Sequence, residues 1–287
     1  MYLEHFGLTE LPFGITPDTG FTFVSAAHRE ALATLLLALD AGEGFVKVTG
    51  EVGTGKTLLA RTLLDALQGR TDRPCVTAYV PNPRLTSREL LRVLADELGL
   101  KFNRRAATRD LYEVVAAALV EHARAARRVV LVVDEAQALP PDTLEGLRLL
   151  SNLETGKRKL LQVALFGQCE LDTVLRDPAC RSLTSRIAFA ARLRPLGRTD
   201  FASYLLHRLR VAGWRGPPLL SQPSLWLLHW ASGGVPRRAN ILAHKALMLA
   251  YGEGCWRVGA HHALAAVRDS RHLLRPSVAA AASGVLA

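Results

Sequence analysis

No apolar run in the sequence approaches the roughly 18 residues that a membrane-spanning helix needs, so no direct membrane span is expected. The opening residues Met1-Tyr2-Leu3-Glu4-His5 lack the basic-then-apolar shape of a signal peptide, and a cytoplasmic location is expected. Cysteine is scarce: Cys75, Cys169, Cys180 and Cys255 form no C-x-x-C pair and have no matching histidine spacing. Neither a disulfide frame nor a zinc site is therefore expected, and the four are read as buried thiols. Internal repeats are absent. Acidic residues are nearly missing from one region: residues 194–287 carry 3 Asp+Glu against 12 Lys+Arg, a balance of +9, whereas residues 1–193 carry 23 against 24. The net charge of +10 thus belongs to the C-terminal third. Such a region can face nucleic acid, an acidic membrane surface, an acidic partner or the phosphates of a nucleotide, or can be plain solvated surface. A hydrophobic content of 49% with 22% charged residues allows an ordinary globular core.

What is present most plainly is a strand pattern, Phe45-Val46-Lys47-Val48-Thr49, running into Gly50-Glu51-Val52-Gly53-Thr54-Gly55-Lys56-Thr57 and then into an apolar helix pattern beginning at Leu58. This is a complete G-x-x-x-x-G-K-[ST] loop. Glycines let successive backbone N–H groups turn inward around a β-phosphate, Lys56 brings a point charge to the β/γ oxygens, and the Thr57 hydroxyl suits Mg²⁺. The helix N-terminus adds its unpaired N–H groups. Residues Gly50 to Leu58 are the expected nucleoside-triphosphate cradle.

Around this loop the pattern alternates. A helix is expected over Ala26–Asp40, a second strand over Cys75–Val80, and helices over Ser87–Leu98 and Thr108–Ala126. The continuously apolar Val129–Val133 reads as a central strand covered on both faces. A helix over Asp142–Leu153, a fourth strand over Leu160–Phe166 and a fifth over Ile187–Leu193 follow. The expectation is a three-layer α/β fold with a parallel five-stranded sheet over residues 1–195. Only helix patterns follow, at about 199–212, 222–231, 236–251 and 259–274, giving a small all-α domain over 196–274. A flexible tail is expected over 275–287.

The third strand ends in Asp134-Glu135, where an aspartate can hold a Mg²⁺ hydration shell and the glutamate can polarise an attacking water; alternatively the two acids merely open a helix. The fourth strand ends in Gly167-Gln168. If it lies between the phosphate-loop strand and the Asp134 strand, Gln168 can bond a γ-phosphate or the water; otherwise it is a surface glutamine. Pro236 suits the first position of a helix, which puts Arg237 and Arg238 at the positive end of its dipole and favours an anion opposite, unless both point to solvent. Arg181 and Arg186 flank the start of the fifth strand and are candidates either for arginine fingers on a neighbouring subunit's nucleotide or for ordinary ion pairs.

The linked order of these features resembles the AAA+ ATPases of the P-loop NTPase class. More narrowly, Met1–Leu8 with Pro12-Phe13, the Gly50–Thr57 loop, Asp134-Glu135-Ala136-Gln137, Leu165-Phe166-Gly167-Gln168 and Gly233-Gly234-Val235-Pro236-Arg237 resemble the ExeA/GspA group of secretion ATPases. Within that group Gly42–Phe45, Val76–Pro83 and Ala243–Leu247 are most similar to the MshM-type ATPases of mannose-sensitive haemagglutinin (MSHA) type IV pilus biogenesis. The resemblance implies ATP and Mg²⁺ as ligands, Lys56 and Thr57 on phosphate and metal, Asp134 on metal, and Glu135 on water. It further implies Gln168 as sensor 1, Arg237 as sensor 2 in a helical lid, and Arg186 ahead of Arg181 as the finger. Three positions depart from the pattern: Gln168 where AAA+ proteins more often have asparagine, Cys169 in place of proline, and Thr184 in place of arginine.

The expected function is an ATPase acting as motor or switch in MSHA-like pilus biogenesis or secretion assembly. It would form a ring or filament with fingers in trans, and inner-membrane assembly proteins would be its partners. Secretion members carry a membrane helix and a cell-wall-binding domain that this sequence does not reach, so membrane contact is expected through a partner. The alternative is an ATP-gated DNA-binding regulator of the transposition type, favoured by the +9 region but without a helix-turn-helix after about residue 270. A helicase would need a second RecA-like lobe, for which there is no room. Absence of an Asn-Lys-x-Asp motif favours ATP over GTP.

Overall fold

A computed structural model describes residues 2–15, 19–81, 84–155 and 158–270. By their contacts these form two compact units. One comprises Ala26–Glu51 and Lys56–Leu193; the other comprises Met1–Ser25, Val52–Gly55 and the chain from Arg194 onward.

In the first unit, α1 (Ala26–Asp40) leads to β1 (Phe45–Gly50), α2 (Lys56–Gln68), β2 (Cys75–Val80), α3 (Ser87–Glu97), α4 (Thr108–Arg124), β3 (Arg128–Val133), α5 (Pro141–Ser151), β4 (Leu161–Gly167) and β5 (Ile187–Leu193). All pairings in the five-stranded sheet are parallel, in the order β2-β3-β4-β1-β5. Strand residues alternate between faces. Val129, Leu131 and Val133 therefore join Val163 and Leu165 beneath α3, α4 and α5, where Leu94, Leu111, Leu119 and Leu147 are fully buried. Val130 and Val132 point the other way, joining Val46, Val48, Ala164 and Phe166 beneath Leu35 and Leu39 of α1 and Leu63 and Leu67 of α2. Each such aliphatic side chain contributes about 1.5–3 kcal/mol by leaving water. This double cover is why Val129–Val133 of β3 reads as an unbroken apolar run and β4 is apolar apart from Gln162, while β5 at the edge exposes Ala188, Phe189 and Ala190. A buried amide sits near the start of β4, where Gln162 Nε2 donates to the carbonyls of Leu39 and Glu43, both at 2.9 Å, and fixes the turn that feeds β1.

The second unit is helical after β5: α6 (Arg198–Val211), α7 (Gln222–Ser232), α8 (Pro236–Gly252) and α9 (Ala260–Asp269). The described residues of the first 25, which the sequence reading puts with the α/β domain, pack here. Phe6, Phe13 and Phe21 share a core with Phe201, Leu205, Leu228, Leu242 and Leu247. Arg208, buried in α6, holds this segment: its guanidinium donates to the carbonyls of Pro12 at 2.6 Å and Gly14 at 3.3 Å and lies 4.7 Å from the Phe21 ring centre.

Two further differences from the sequence reading concern local detail. A short hairpin, Glu154–Thr155 with Arg158–Lys159, precedes β4 and was hidden in polar sequence. Of the four free cysteines only Cys180 is buried; Cys75, Cys169 and Cys255 are half-exposed, because they lie at an edge-strand start, a strand-end loop and an inter-helix turn. The expected tail over 275–287 and the final residues of the 259–274 helix lie outside the described residues, as do Pro17, Asn82 and Pro83.

Candidate active site

Because β3, β4 and β1 are neighbours and parallel, their carboxyl ends lie side by side, and the residues just beyond them meet at one edge of the sheet. The first group is the loop after β1. Gly53 at φ +83 and Gly55 at φ +97 occupy the region that favours glycine. α2 starts at Lys56, which is only 5% exposed; its Nζ donates to the carbonyls of Gly50 and Glu51, both at 3.0 Å. Burial lowers the pKa of this ammonium, opposed by the charges of Glu135 and Asp134. Thr54 is buried, while Val52 is exposed and Leu58 half-buried beside the loop.

Asp134 follows β3 and is buried. Thr57 Oγ1 donates to its Oδ2 at 2.6 Å, and its Oδ1 accepts the Glu135 N–H at 2.9 Å. A hydroxyl and a carboxylate held together are hard oxygen donors, which fits Mg²⁺, an ion that takes one or two protein ligands and retains water.

Glu135 has φ +52, a left-handed conformation costing a non-glycine residue about 1–3 kcal/mol. Its Oε2 accepts from Gln137 Nε2 at 2.6 Å and from Gln168 Nε2 at 3.0 Å. Burial pushes the carboxyl's pKa up, but the two amide donors from Gln168 and Gln137, with Lys56, outweigh it and leave it below its ordinary value. Gln168 meets the condition set for it, since β4 does lie between β1 and β3.

The site also contains a residue to which sequence reasoning gave no role. Gln137 bonds Glu135 through its amide nitrogen and accepts the Gln168 backbone N–H at 2.9 Å through its oxygen. The signal for it is the spacing Asp-Glu-x-Gln: the 3-10 turn Ala136–Ala138 folds the side chain back towards Glu135.

Arg181 and Arg186 are not brought to this loop within the chain. Ile187 pairs with Phe45 at the start of β1, whereas the loop leaves from Gly50 at its end. At about 3.3 Å per residue the two ends are roughly 17 Å apart. Arg186 donates instead to Asn152 Oδ1, with the charges of Glu145 and Glu154 near it, and Arg181 is exposed.

Arg237, second in α8 after Pro236, belongs to the same compact unit as Gly53. Its N–H faces the Gly53 carbonyl at 3.4 Å, and a Cβ on Gly53 would lie 2.6 Å from its own Cβ. The contact leaves no room for any other residue at 53. Arg238 is half-buried, and its Nη1 has no partner among the described residues.

Elsewhere Glu253, Cys255 and His262 lie within metal-binding reach of one another. Their hydrogen bonds speak against a metal: His262 Nδ1 accepts the Gly259 N–H at 2.9 Å, so Nε2 carries the ring proton and donates to Glu253 at 3.0 Å, leaving no lone pair for an ion.

Residues 39–175 match the model of a family described as AAA domain. Over 258 residues, 90% of its length, the chain is 43% identical to general secretion pathway protein A of Aeromonas hydrophila, and it spans about half (46%) of that relative. Among solved structures it resembles the ADP form of Aeropyrum pernix ORC2 with a TM-score of 0.65 and 17% identity, covering 89% of this chain and 71% of that one. Pyrobaculum aerophilum Cdc6p gives 0.65 with 22% identity, covering 90% and 71%. The Thermotoga maritima RuvB Holliday junction branch migration motor gives 0.57 with 17% identity, covering 88% and 72%. At these identities the structures share the fold alone.

Proposed function

We propose, for a chain that is an AAA+ protein of the ExeA/GspA type, that it binds ATP with Mg²⁺, hydrolyses the γ-phosphate, and serves a secretion or MSHA-like type IV pilus apparatus as a switch or motor. One observation carries the chemistry: an ionised Glu135, its carboxylate fixed by two amides, stands beside the Asp134–Thr57 pair and the buried Lys56. The loop N–H groups and Lys56 hold the β- and γ-phosphates. Thr57 and Asp134 would hold Mg²⁺, which when bound neutralises charge on the phosphate oxygens. Glu135 Oε1 takes the proton of the attacking water, while Gln168 keeps the carboxylate aimed and reports on the γ-phosphate.

Arg186, with Arg181 second, acts on the nucleotide of a neighbouring copy in a ring or filament. Its distance from the loop of its own chain supports a role in trans, and such a finger is worth about 10³–10⁵ in rate. Arg237 senses the nucleotide state through its contact with Gly53. Attachment at the inner membrane would be through assembly proteins, a reading suggested by the similarity to general secretion pathway protein A; among the described residues no helix is long and apolar enough to cross a membrane. The +9 balance of residues 194–287 favours DNA as a second reading; the sign of that would be an affinity falling steeply with salt.

The test is ATP turnover against protein concentration for wild type, Glu135→Gln and Arg186→Ala. Turnover per chain should rise with concentration, Glu135→Gln should lose at least 100-fold while still binding ATP, and Arg186→Ala should stay low at every concentration. Normal hydrolysis by Glu135→Gln contradicts the water-activating role, and full activity of Arg186→Ala contradicts the finger.

A further inference from the structure

The helical unit carries a small pocket that the nucleotide chemistry does not use, at the carboxyl end of α6. It has a volume of about 240 Å³ and is lined by Leu206, Arg210, Trp214, Arg215, Gly216 and Pro218. Its floor is built rigidly. The chain leaves α6 through Gly213 at φ +95, and the Trp214 N–H bonds back to the Leu209 carbonyl at 2.9 Å. The indole Nε1 donates to the Pro217 carbonyl at 2.9 Å. The Gly216 backbone lies against the six-membered ring so closely that a Cβ there would fall 2.5 Å from Trp214 Cζ2, so only glycine fits. Pro217 and Pro218 stiffen the return.

The rim is cationic. Arg210 and Arg215 are exposed and adjacent, the Arg215 guanidinium reaching the Arg210 carbonyl at 3.5 Å, and no carboxylate among the described residues pairs with either. The three acids after Arg194 are engaged or remote, and Glu10, an exposed acid that follows the Thr9 bonded to the Ala212 carbonyl at 2.8 Å, makes no ion pair with Arg210 or Arg215. Glu253 bonds His261 and His262, Asp269 bonds Lys245, and Asp200 lies at the other end of α6, about 15 Å away at 1.5 Å per residue.

We propose that this pocket receives an apolar side chain from an acidic segment of a partner polypeptide, whose carboxylates pair with Arg210 and Arg215. The volume lies below that of drug-sized ligand sites and suits a single side chain. The pre-formed indole floor spares the ordering cost of docking, and the paired guanidiniums match carboxylates in charge and fork geometry. Trp214 is half-buried, packed on the helical core and against Gly216, so only the part of its indole that floors the pocket is open, which suits an inserted side chain better than the stacked bases of nucleic acid. The inference goes beyond the ATPase reading and does not depend on it.

Fluorescence anisotropy on the full chain tests it with four fluorescein-labelled probes: the peptide Glu-Glu-Glu-Leu-Phe-Glu-Glu-Glu, a version with Ser-Ser at its centre, a version with Lys for every Glu, and an eight-residue oligothymidylate. The first should bind at least ten-fold more tightly than the other three. Arg210→Glu with Arg215→Glu, and separately Leu206→Asp, should each weaken it at least ten-fold while the circular dichroism spectrum and thermal melt stay at the wild-type level, which certifies folding. Equal binding by wild type and the charge-reversed chain, no binding of the first peptide, or tighter binding of the oligothymidylate overturns the proposal.

Discussion

Glu135 combines a left-handed backbone with a carboxylate oxygen that accepts two amide donors, so its aim is set by neighbours rather than by its own preferred geometry. Gln137 is central to that arrangement, since it touches both Glu135 and the backbone of Gln168. Replacing Gln137 with Ala should lower kcat about ten-fold while leaving KM for ATP within about two-fold, because the amide sets the water-activating group and does not contact the loop that grips phosphate. Steady-state turnover over a range of ATP concentrations checks this, and a rise in KM with kcat intact would assign Gln137 to binding. That Lys56, Thr57, Asp134 and Glu135 gather at one edge of the sheet was legible in the sequence, because each follows a strand pattern at fixed spacing. Gln137 was not, because a 3-10 turn matches neither the helix nor the strand period and its partner Gln168 lies 31 residues away.

At the scale of elements, the edge of the sheet away from the nucleotide loop is tied by charge. Asp40 ends α1 and accepts from Arg70 after α2 at 2.8 and 2.9 Å and from Arg128 at the start of β3 at 2.9 Å, with Arg73 at 3.3 Å. Burial acts to raise the carboxyl's pKa, but Arg70 and Arg128 together hold it below its ordinary value. A depressed carboxylate stabilises the fold above its unfolded pKa, near 3.9, and the contribution disappears as pH falls through the native value. Asp40→Asn should therefore cost about 1–3 kcal/mol at pH 7 by leaving clustered cations unpaired. Denaturant melts at pH 7 and below pH 4 should show this gap closing in acid; a gap independent of pH would rule out the ion-pair origin. The strands were readable for a related reason, since burial on both faces writes continuous apolar runs. The packing of residues 1–25 was not readable, because Phe6, Phe13 and Phe21 follow no period and their cationic anchor, Arg208, lies almost 200 residues further on.

For the whole molecule, the charge asymmetry arises because acids are scarce from Arg194 onward, 3 against 12 Lys+Arg, while Asp134 and Glu135 lie in the sheet unit. The helix patterns after residue 195 correspond to α6 to α9. Partners left only the +9 balance as a sequence signal, because a docking pocket depends on Gly213, Trp214 and Gly216 in three dimensions. The proposed activity needs one step before any assembly or partner acts, the capture of a magnesium-bound triphosphate by the Gly50–Thr57 loop. Calorimetric titration of ATP with magnesium into wild-type and Lys56→Ala protein measures that step. The account predicts one ATP per chain for wild type and no uptake when Lys56 is removed; wild-type protein that takes up no ATP, or equal uptake by both, would contradict it.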